Sequence, residues 1–457
     1  SKYDLFNVDQ RVAFDRIIQR IGDPTLVGAS TCFFLHGPAG TGKTFVYNTI
    51  ANYFRSQSQI VLCVASSGIA ALLLVGGRTS HSRLKIPLQL HETSTCNVTP
   101  GSALGVLLYN TALIIWDEVP MQHRHCFEAV DRVLRDIRRQ DTLFGGIPVI
   151  FGGDFAQIAP VIKRADRSQI VDASIRQSYI WDETDVIHLR VNMRVRGTSS
   201  NDAHFKDWLY RMTYSPEMQN KSIPLPHYIY NTSSLNNLIE RVYPMVVLSD
   251  ALNSSQRLYK SAILTTRNDT ADELNGKILD SMPGTILHLL SADEAVTSPT
   301  DGVDELFQIS PEYLQTLNPN NFPPARLSLK VGCIVMLLRN INAEAGLCNG
   351  TRLMIKEIGS YVLKVAVLKE INSEVEQIEM IPRITLDTME DDYPFILRRT
   401  QFPVKLSFAM TINKSQGQSL QYVGIDMRYP VFSHGQLYVA MSRSTRVDKI
   451  YVLHPEE

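Results

Sequence analysis

FLHGPAGTGKTFVYNTI, residues 34–50, decides the fold. An apolar run leads into three glycines, a lysine and a threonine, and an amphipathic stretch follows. Residues 37–44 fit G-x-x-x-x-G-K-[ST]. The spacing predicts a short buried strand over 31–35 and a helix over 45–54, where apolar residues recur at helical intervals. Glycines let the backbone curl until its N–H groups face phosphate oxygens, with the helix dipole behind them. Gly37, Pro38, Ala39, Gly40, Thr41 and Gly42 then form the cradle. Lys43 reaches the β- and γ-phosphates and Thr44 is a Mg²⁺ ligand. The alternative, a glycine turn with a chance lysine, does not explain the strand before it or the helix after it.

A nucleotide site needs a second metal carboxylate, and LIIWDE (113–118) supplies one. Four apolar residues make a buried strand that delivers Asp117 to its C-terminal end, where ligands gather in parallel α/β sheets. Asp117 is the candidate Mg²⁺ ligand and Glu118 the group that polarises the attacking water. In isolation this string is an ordinary strand end. Beside the phosphate loop it points to hydrolysis of a nucleoside triphosphate.

Further residues narrow the kind of hydrolase. VIFGGDFAQIAPV (149–161) is another apolar strand, ending in Asp154 and Gln157. A glutamine there can report the γ-phosphate through a hydrogen bond that exists only before hydrolysis. Arg443, on a helical pattern in GQLYVAMSRS (435–444), is a candidate arginine finger, and Arg194 in LRVNMR (189–194) is a second. Each arginine alone is more often a surface residue, and the pair is credited by the motifs around it.

The whole chain sets bounds. Its 457 residues allow two to four domains at about 100–200 residues each. Hydrophobic residues are 44% and charged residues 20%, an ordinary globular balance. No apolar run approaches the ~20 residues of a membrane span, so no membrane partner is expected. Six scattered cysteines form no C-x-x-C pair and are expected to be reduced. A net charge of -1 excludes non-specific coating of duplex DNA, so any nucleic acid is held in a local groove.

GPAGTGKT, the Asp-Glu strand, GGDFAQIAPV, TINKSQGQSL and YVAMSRS occur in an order and at spacings that resemble superfamily 1 helicases. Residues 118–157, with RVLRDIRRQDTLFGGIPVIFGGDFAQ, are similar to the signature segment of the Pif (petite integration frequency) family in the Pif/RecD-like branch, superfamily 1B. Residues 398–445 are most similar to the helicase portion of Helitron-type eukaryotic members. One departure is Asn413, where many members carry histidine. The resemblance implies an α/β fold with two RecA-like P-loop domains and ATP and Mg²⁺ held in the cleft between them. It also implies 5′-to-3′ translocation on single-stranded DNA, unwinding of forked duplex, and a monomer. Gln10, in LFNVDQRVAF, would read the adenine edge while Phe6 packs nearby; an amphipathic helix start fits the same residues. Ser66, Thr79 and His81 would touch the single strand, as would Thr411, Asn413, Lys414, Ser415 and Gln416, with Gly417 allowing close approach. Phe155 is a candidate for base stacking, with core packing as its alternative.

The expected organisation follows. Residues 1–185 form the first RecA-like domain, with a wedge-like insertion near 76–102. Residues 186–291 and 402–457 form the second. Residues 292–401 form a β-rich insertion that reads as a small barrel from CIVMLLRNI, RLMIKEI, VLKVAVL and EQIEMIPRI and from the Asn-Gly turn in CNGTR, and the resemblance implies that it is Src-homology-3-like. No motif is legible over 291–324. RDIRRQ (135–140) reads as a solvated helix face. A nuclear location is expected, with the mitochondrion as the alternative, and targeting would lie upstream of Ser1. The rivals are a RecA-type strand-exchange ATPase, which needs only one such domain, and a vestigial DNA-binding ATPase, which needs no intact lysine, carboxylates or arginines.

Overall fold

The computed structural model describes residues 2–455 except 24, 26–30, 161, 163, 164, 196, 198, 219–222, 297–308, 320, 370–375, 389–392 and 394. Val161, the last residue of the 149–161 motif, therefore lies outside the described residues. The chain divides into two compact units. The first is Ser1–Tyr230 with Ser415–Ser419 and Pro430–Ile450; the second is Asn231–Lys414 with Leu420–Tyr429 and Tyr451–Glu457.

The first unit is built on six strands: β1 (Cys32–His36), β2 (Ile60–Ala65), β3 (Arg78–Thr79), β4 (Thr111–Asp117), β5 (Val149–Gly153) and β6 (Thr184–His188). Their order is β3-β2-β4-β5-β1-β6, with parallel pairing throughout. Strand side chains alternate between faces, so each apolar run feeds two cores at once. Phe34, Val64, Ile114, Trp116 and Phe151 pack on one face with Phe127. Phe33, Leu35, Cys63, Ile115 and Ile150 pack on the other with Tyr47 and Ile50. Fully burying side chains of this size contributes about 1.5–3 kcal/mol each, which is why the central strands β1, β4 and β5 are apolar through their middles.

Helix Lys43–Ser56 buries Val46, Tyr47, Ile50, Ala51 and Phe54, a single apolar stripe at helical spacing. It starts two residues earlier than the sequence pattern predicts, because Lys43 and Thr44 form its first turn. Helix Val8–Gly22 begins with a capping box: Asn7 accepts from the Gln10 backbone, and the Gln10 side chain accepts from the Asn7 backbone.

In the second unit, Ala409–Thr411, Ser261–Thr265 and Tyr422–Asp426 are parallel neighbours in a five-stranded sheet. A separate five-stranded sheet runs Ile378–Pro382, Val362–Val367, Arg352–Ile358, Ile334–Leu337, Val404–Leu406, with antiparallel pairing. Four of its strands coincide with the four short runs read from the sequence. Two smaller antiparallel sheets were not anticipated. One pairs Leu287–Leu290 with Arg326–Leu329, and the other places Ile396–Gln401 between Ala292–Val296 and Ile384–Asp387. Among the described residues, no helix is long and apolar enough to cross a membrane.

Candidate active site

The phosphate loop leaves β1 and returns as helix Lys43–Ser56. Gly40 and Gly42 adopt φ of 86° and 81°, a left-handed conformation that side chains resist. Space requires glycine there too: a Cβ on Gly40 would strike the Arg194 Cβ, and one on Gly42 would strike the Gln10 amide. Gln10, 3% exposed, donates from Nε2 to the Thr41 carbonyl at 3.1 Å. Its amide therefore braces the loop from below, in addition to any part in base recognition. Lys43 Nζ donates to the Gly37 carbonyl at 2.5 Å, so the ammonium lies over the loop.

Two strand ends away, Asp117 closes β4 and accepts from the Glu118 N–H at 2.9 Å. Burial first, and the Glu118 carboxylate second, push the Asp117 carboxyl up to about 7. A divalent cation is the charge that would restore its ionised form, so the donor chemistry fits Mg²⁺ with Thr44 as the companion ligand. Glu118 itself holds a left-handed backbone, φ 56° and ψ 37°.

Gln157 is 4% exposed, and its Oε1 is buried with no hydrogen-bond partner. An orphaned acceptor at the end of the loop after β5 suits a group carrying protons, such as an attacking water. Asp154, which the sequence placed here without a role, is fully buried and accepts from the Tyr214 and Tyr438 hydroxyls, both at 3.0 Å. Tyr438 also accepts from the Ala39 N–H at 2.8 Å. One tyrosine thus joins the phosphate loop to Asp154 and to helix Gln436–Met441. Burial, then Asp154, raises its pKa well above the usual range, so it stays a donor. Tyr438 stood inside a quoted motif but carries no signal of its own; Tyr214 lay outside every motif.

The two candidate arginines meet. Arg194 Nη1 donates to the Ser442 carbonyl at 2.9 Å, next to Arg443. Arg443, 1% exposed, donates to the carbonyls of Val439, Ser415 and Gln418 and to the Ser442 hydroxyl. These acceptors are neutral. Desolvation first, then the Arg443 charge, lowers the Arg194 pKa, and desolvation lowers that of Arg443. Two guanidiniums that disfavour each other in a desolvated place suit a polyanion.

The strand-contact candidates fall in both units. In the first, the Ser66 hydroxyl donates to the Glu118 carbonyl at 2.8 Å, and Thr79 caps helix Ser80–Leu84 without a side-chain hydrogen bond. Burial lowers the pKa of His81, holding it neutral. Ser415 is fully buried, and Gln416 is 4% exposed with both amide atoms unpartnered. Phe155 stacks on Phe34 at 4.9 Å and lies 3.9 Å from the Arg176 guanidinium, so its ring is engaged in the core rather than offered to a base. Arg135 in the 135–140 helix end pairs with Asp131 and Asp141.

In the second unit, Thr411 and Lys414 line a cavity of about 630 Å³. Asn268, Phe322, Lys405 and His288 line it too. Burial first, then Lys405 and Arg339, lowers the Lys414 pKa, a mark of clustered positive charge. Phe322 belongs to the stretch where the sequence showed no motif. It reaches the cavity because Arg399, fully buried against Asp293 at 2.7 Å, also donates to the carbonyls of Leu314, Leu317 and Pro323. The only sequence signal was one aromatic among asparagines and prolines.

A parallel sheet that gathers a phosphate loop, an Asp-Glu strand end and two desolvated arginines defines a P-loop fold of the RecA-like class. The chain is similar to the Pif1 family: the PIF1-like helicase model matches residues 5–221, and the model for the 2B domain of DNA helicase Pif1 matches residues 312–358. The ATP-dependent DNA helicase PIF1 of Danio rerio is 29% identical over 423 residues, which is 92% of this chain and 58% of that protein. The ATP-dependent DNA helicase Pif1 of a Psychrobacter species is 26% identical over 476 residues, 92% of this chain and 65% of that one. The chain thus spans about three fifths of the length of these relatives. A Bacteroides Pif1 helicase in complex with ADP-AlF3 and single-stranded DNA shares the fold, with a TM-score of 0.65 at 22% identity, covering 96% of this chain and 91% of that one.

Proposed function

We propose that the chain is an ATP-dependent DNA helicase that moves 5′ to 3′ along single-stranded DNA and opens forked duplexes. The convergence of the phosphate loop, Glu118, Gln157, Arg194 and Arg443 within one unit carries the reading. The match to the PIF1-like helicase model and the DNA-bound Bacteroides structure support the choice of nucleic acid.

In this reading the loop N–H groups and Lys43 hold the β- and γ-phosphates of ATP. Thr44 and Asp117 hold Mg²⁺, which supplies a positive charge against the phosphate oxygens. Glu118 accepts a proton from the attacking water, and Gln157 Oε1 orients that water. Arg443 and Arg194 stabilise charge developing on the transferred phosphoryl group. Thr79 and His81, and in the second unit Thr411, Asn413 and Lys414, grip the strand by its backbone, which carries no base preference. Ser66, Ser415 and Gln416 act from behind, since their polar groups are bonded or buried. Movement requires only that ATP and its products favour different conformations of the grip. The enzyme acts as a monomer.

The test is unwinding of forked duplexes bearing either a 5′ or a 3′ single-stranded tail, with ATP. Opening of the 5′-tailed fork alone is expected. Opening of the 3′-tailed fork alone overturns the polarity, and ATP hydrolysis indifferent to DNA overturns the helicase reading.

A further inference from the structure

Gln122 lies within the 118–157 segment but has no role assigned there, yet it occupies a junction between the hydrolytic strand end and the Ser66–His81 segment. It is 6% exposed. Its Oε1 accepts from the Trp116 indole N–H at 3.1 Å and from the Ser66 hydroxyl at 2.9 Å. Its Nε2 donates to the Ser80 hydroxyl at 3.0 Å. The orientation of the amide is forced, because an indole N–H can only donate and so must face the amide oxygen. The backbone of Gln122 closes the same turn, donating to the Val119 carbonyl at 3.0 Å.

Each of these partners has a second attachment. Trp116 is fully buried in β4, one residue before Asp117. Ser80 sits between Thr79 and His81. Ser66 also reaches the Glu118 carbonyl at 2.8 Å. A serine hydroxyl has one proton, and here the Glu118 carbonyl at 2.8 Å and the Gln122 amide oxygen at 2.9 Å compete for it, with the Asp117 carbonyl farther off at 3.4 Å. It can serve the Glu118 carbonyl or the Gln122 amide, but not both. Glu118 meanwhile holds a left-handed backbone that a non-glycine residue keeps only when its surroundings enforce it. The Ser66 proton is part of that enforcement.

We propose that Gln122 is a positioning residue that couples engagement of single-stranded DNA on Thr79 and His81 to the backbone of Glu118. A shift of the Thr79–His81 segment pulls on Ser80, turns the Gln122 amide and changes its claim on the Ser66 proton. That in turn holds or releases the Glu118 carbonyl, and with it the carboxylate that takes the proton from water. The proposal rests on the helicase reading above and deepens it, by naming the residue through which strand binding reaches the hydrolytic site.

Coupling between two sites is reciprocal, so it is readable without catalysis. The affinity of a fluorescent oligo-dT strand is measured without nucleotide and with ADP–aluminium fluoride, and the stimulation of ATP hydrolysis by the same strand is measured alongside. In Gln122→Leu the nucleotide-dependent affinity ratio is expected to collapse to within about twofold of unity, and the stimulation to fall at least tenfold. Ser80→Ala removes one leg of the junction and keeps the Trp116 and Ser66 bonds; about a threefold loss of both is expected. A residue that only supports the fold would lower the melting temperature and all rates together and leave both ratios in place. Retention of the parent ratios by Ser80→Ala, and by Gln122→Leu where it folds, overturns the proposal. A parent enzyme that the strand does not stimulate overturns the helicase reading itself, and the two failures are therefore distinct.

Discussion

The phosphate loop and the cavity of the second unit are made by opposite means. The loop is eight consecutive residues, six between one strand and one helix and two in the helix's first turn, and it presents backbone N–H groups. The cavity takes side chains from segments scattered between Asn268 and Lys414. Its Phe322 wall depends on a buried arginine far along the chain. A contiguous site has its chemistry written in spacing, and a single substitution damages only the group removed. A scattered site depends on residues that never touch the ligand.

Five changes would break or sharpen that contrast, beginning with the largest. Lys43→Ala should lower the ATPase kcat by a factor on the order of 10³ and leave the melting temperature within about 2 °C, since Lys43 bonds only to loop carbonyls. Robust turnover by this variant would remove the loop from the chemistry. Arg443→Ala should slow turnover comparably, on the order of 10³, with ATP binding by a fluorescent analogue largely kept. Unlike Lys43 it is fully buried, so it should also lower the melting temperature.

Arg399→Met leaves Asp293 buried and unpaired, which typically costs about 3–5 kcal/mol. Denaturant unfolding should show that loss, and affinity for oligo-dT should fall more than ATP affinity does. Equal losses would mean that the cavity is not where the strand is held. Phe322 shares its cavity with the proposed contacts Thr411 and Lys414, so Phe322→Ala tests whether a base stacks there: a loss of oligo-dT affinity of about tenfold is the value of one base–aromatic stack, with little effect on stability because the ring is only partly buried.

The smallest effect concerns pH. Burial pushes His36, at the end of β1, down to about 4. The unfolded chain binds this proton near 6.5 and the folded chain does not, so stability is lost as pH falls from about 6.5 toward 4. His36→Gln should flatten that limb of the melting curve by about 2–4 °C and leave the curve above pH 7 unchanged in slope. An identical acid limb in parent and variant would place the sensitivity elsewhere.

Much of the first unit was legible because its signals are local. The phosphate loop is placed by glycines whose conformation and spacing are both necessary. Thr411 and Lys414 were named from a motif and do line the cavity. Phe155 shows the limit: an aromatic at a strand end reads the same whether it faces core or solvent, and only packing on Phe34 decides. Ser415 and Gln416 were named as contacts, but burial places their side chains behind the surface.

By itself, the amino-acid order determined the phosphate cradle, the carboxylate pair, the parallel sheet and the strands of the β insertion. Those depend on backbone conformation and on alternation along a few neighbouring residues. Only the tertiary structure decided that Tyr438 ties the loop to Asp154, that Gln122 joins Trp116, Ser66 and Ser80, and that Arg399 carries Phe322 to the cavity. The reason is that a buried polar group takes its meaning from partners that can lie hundreds of residues away, and spacing along the chain carries no record of them.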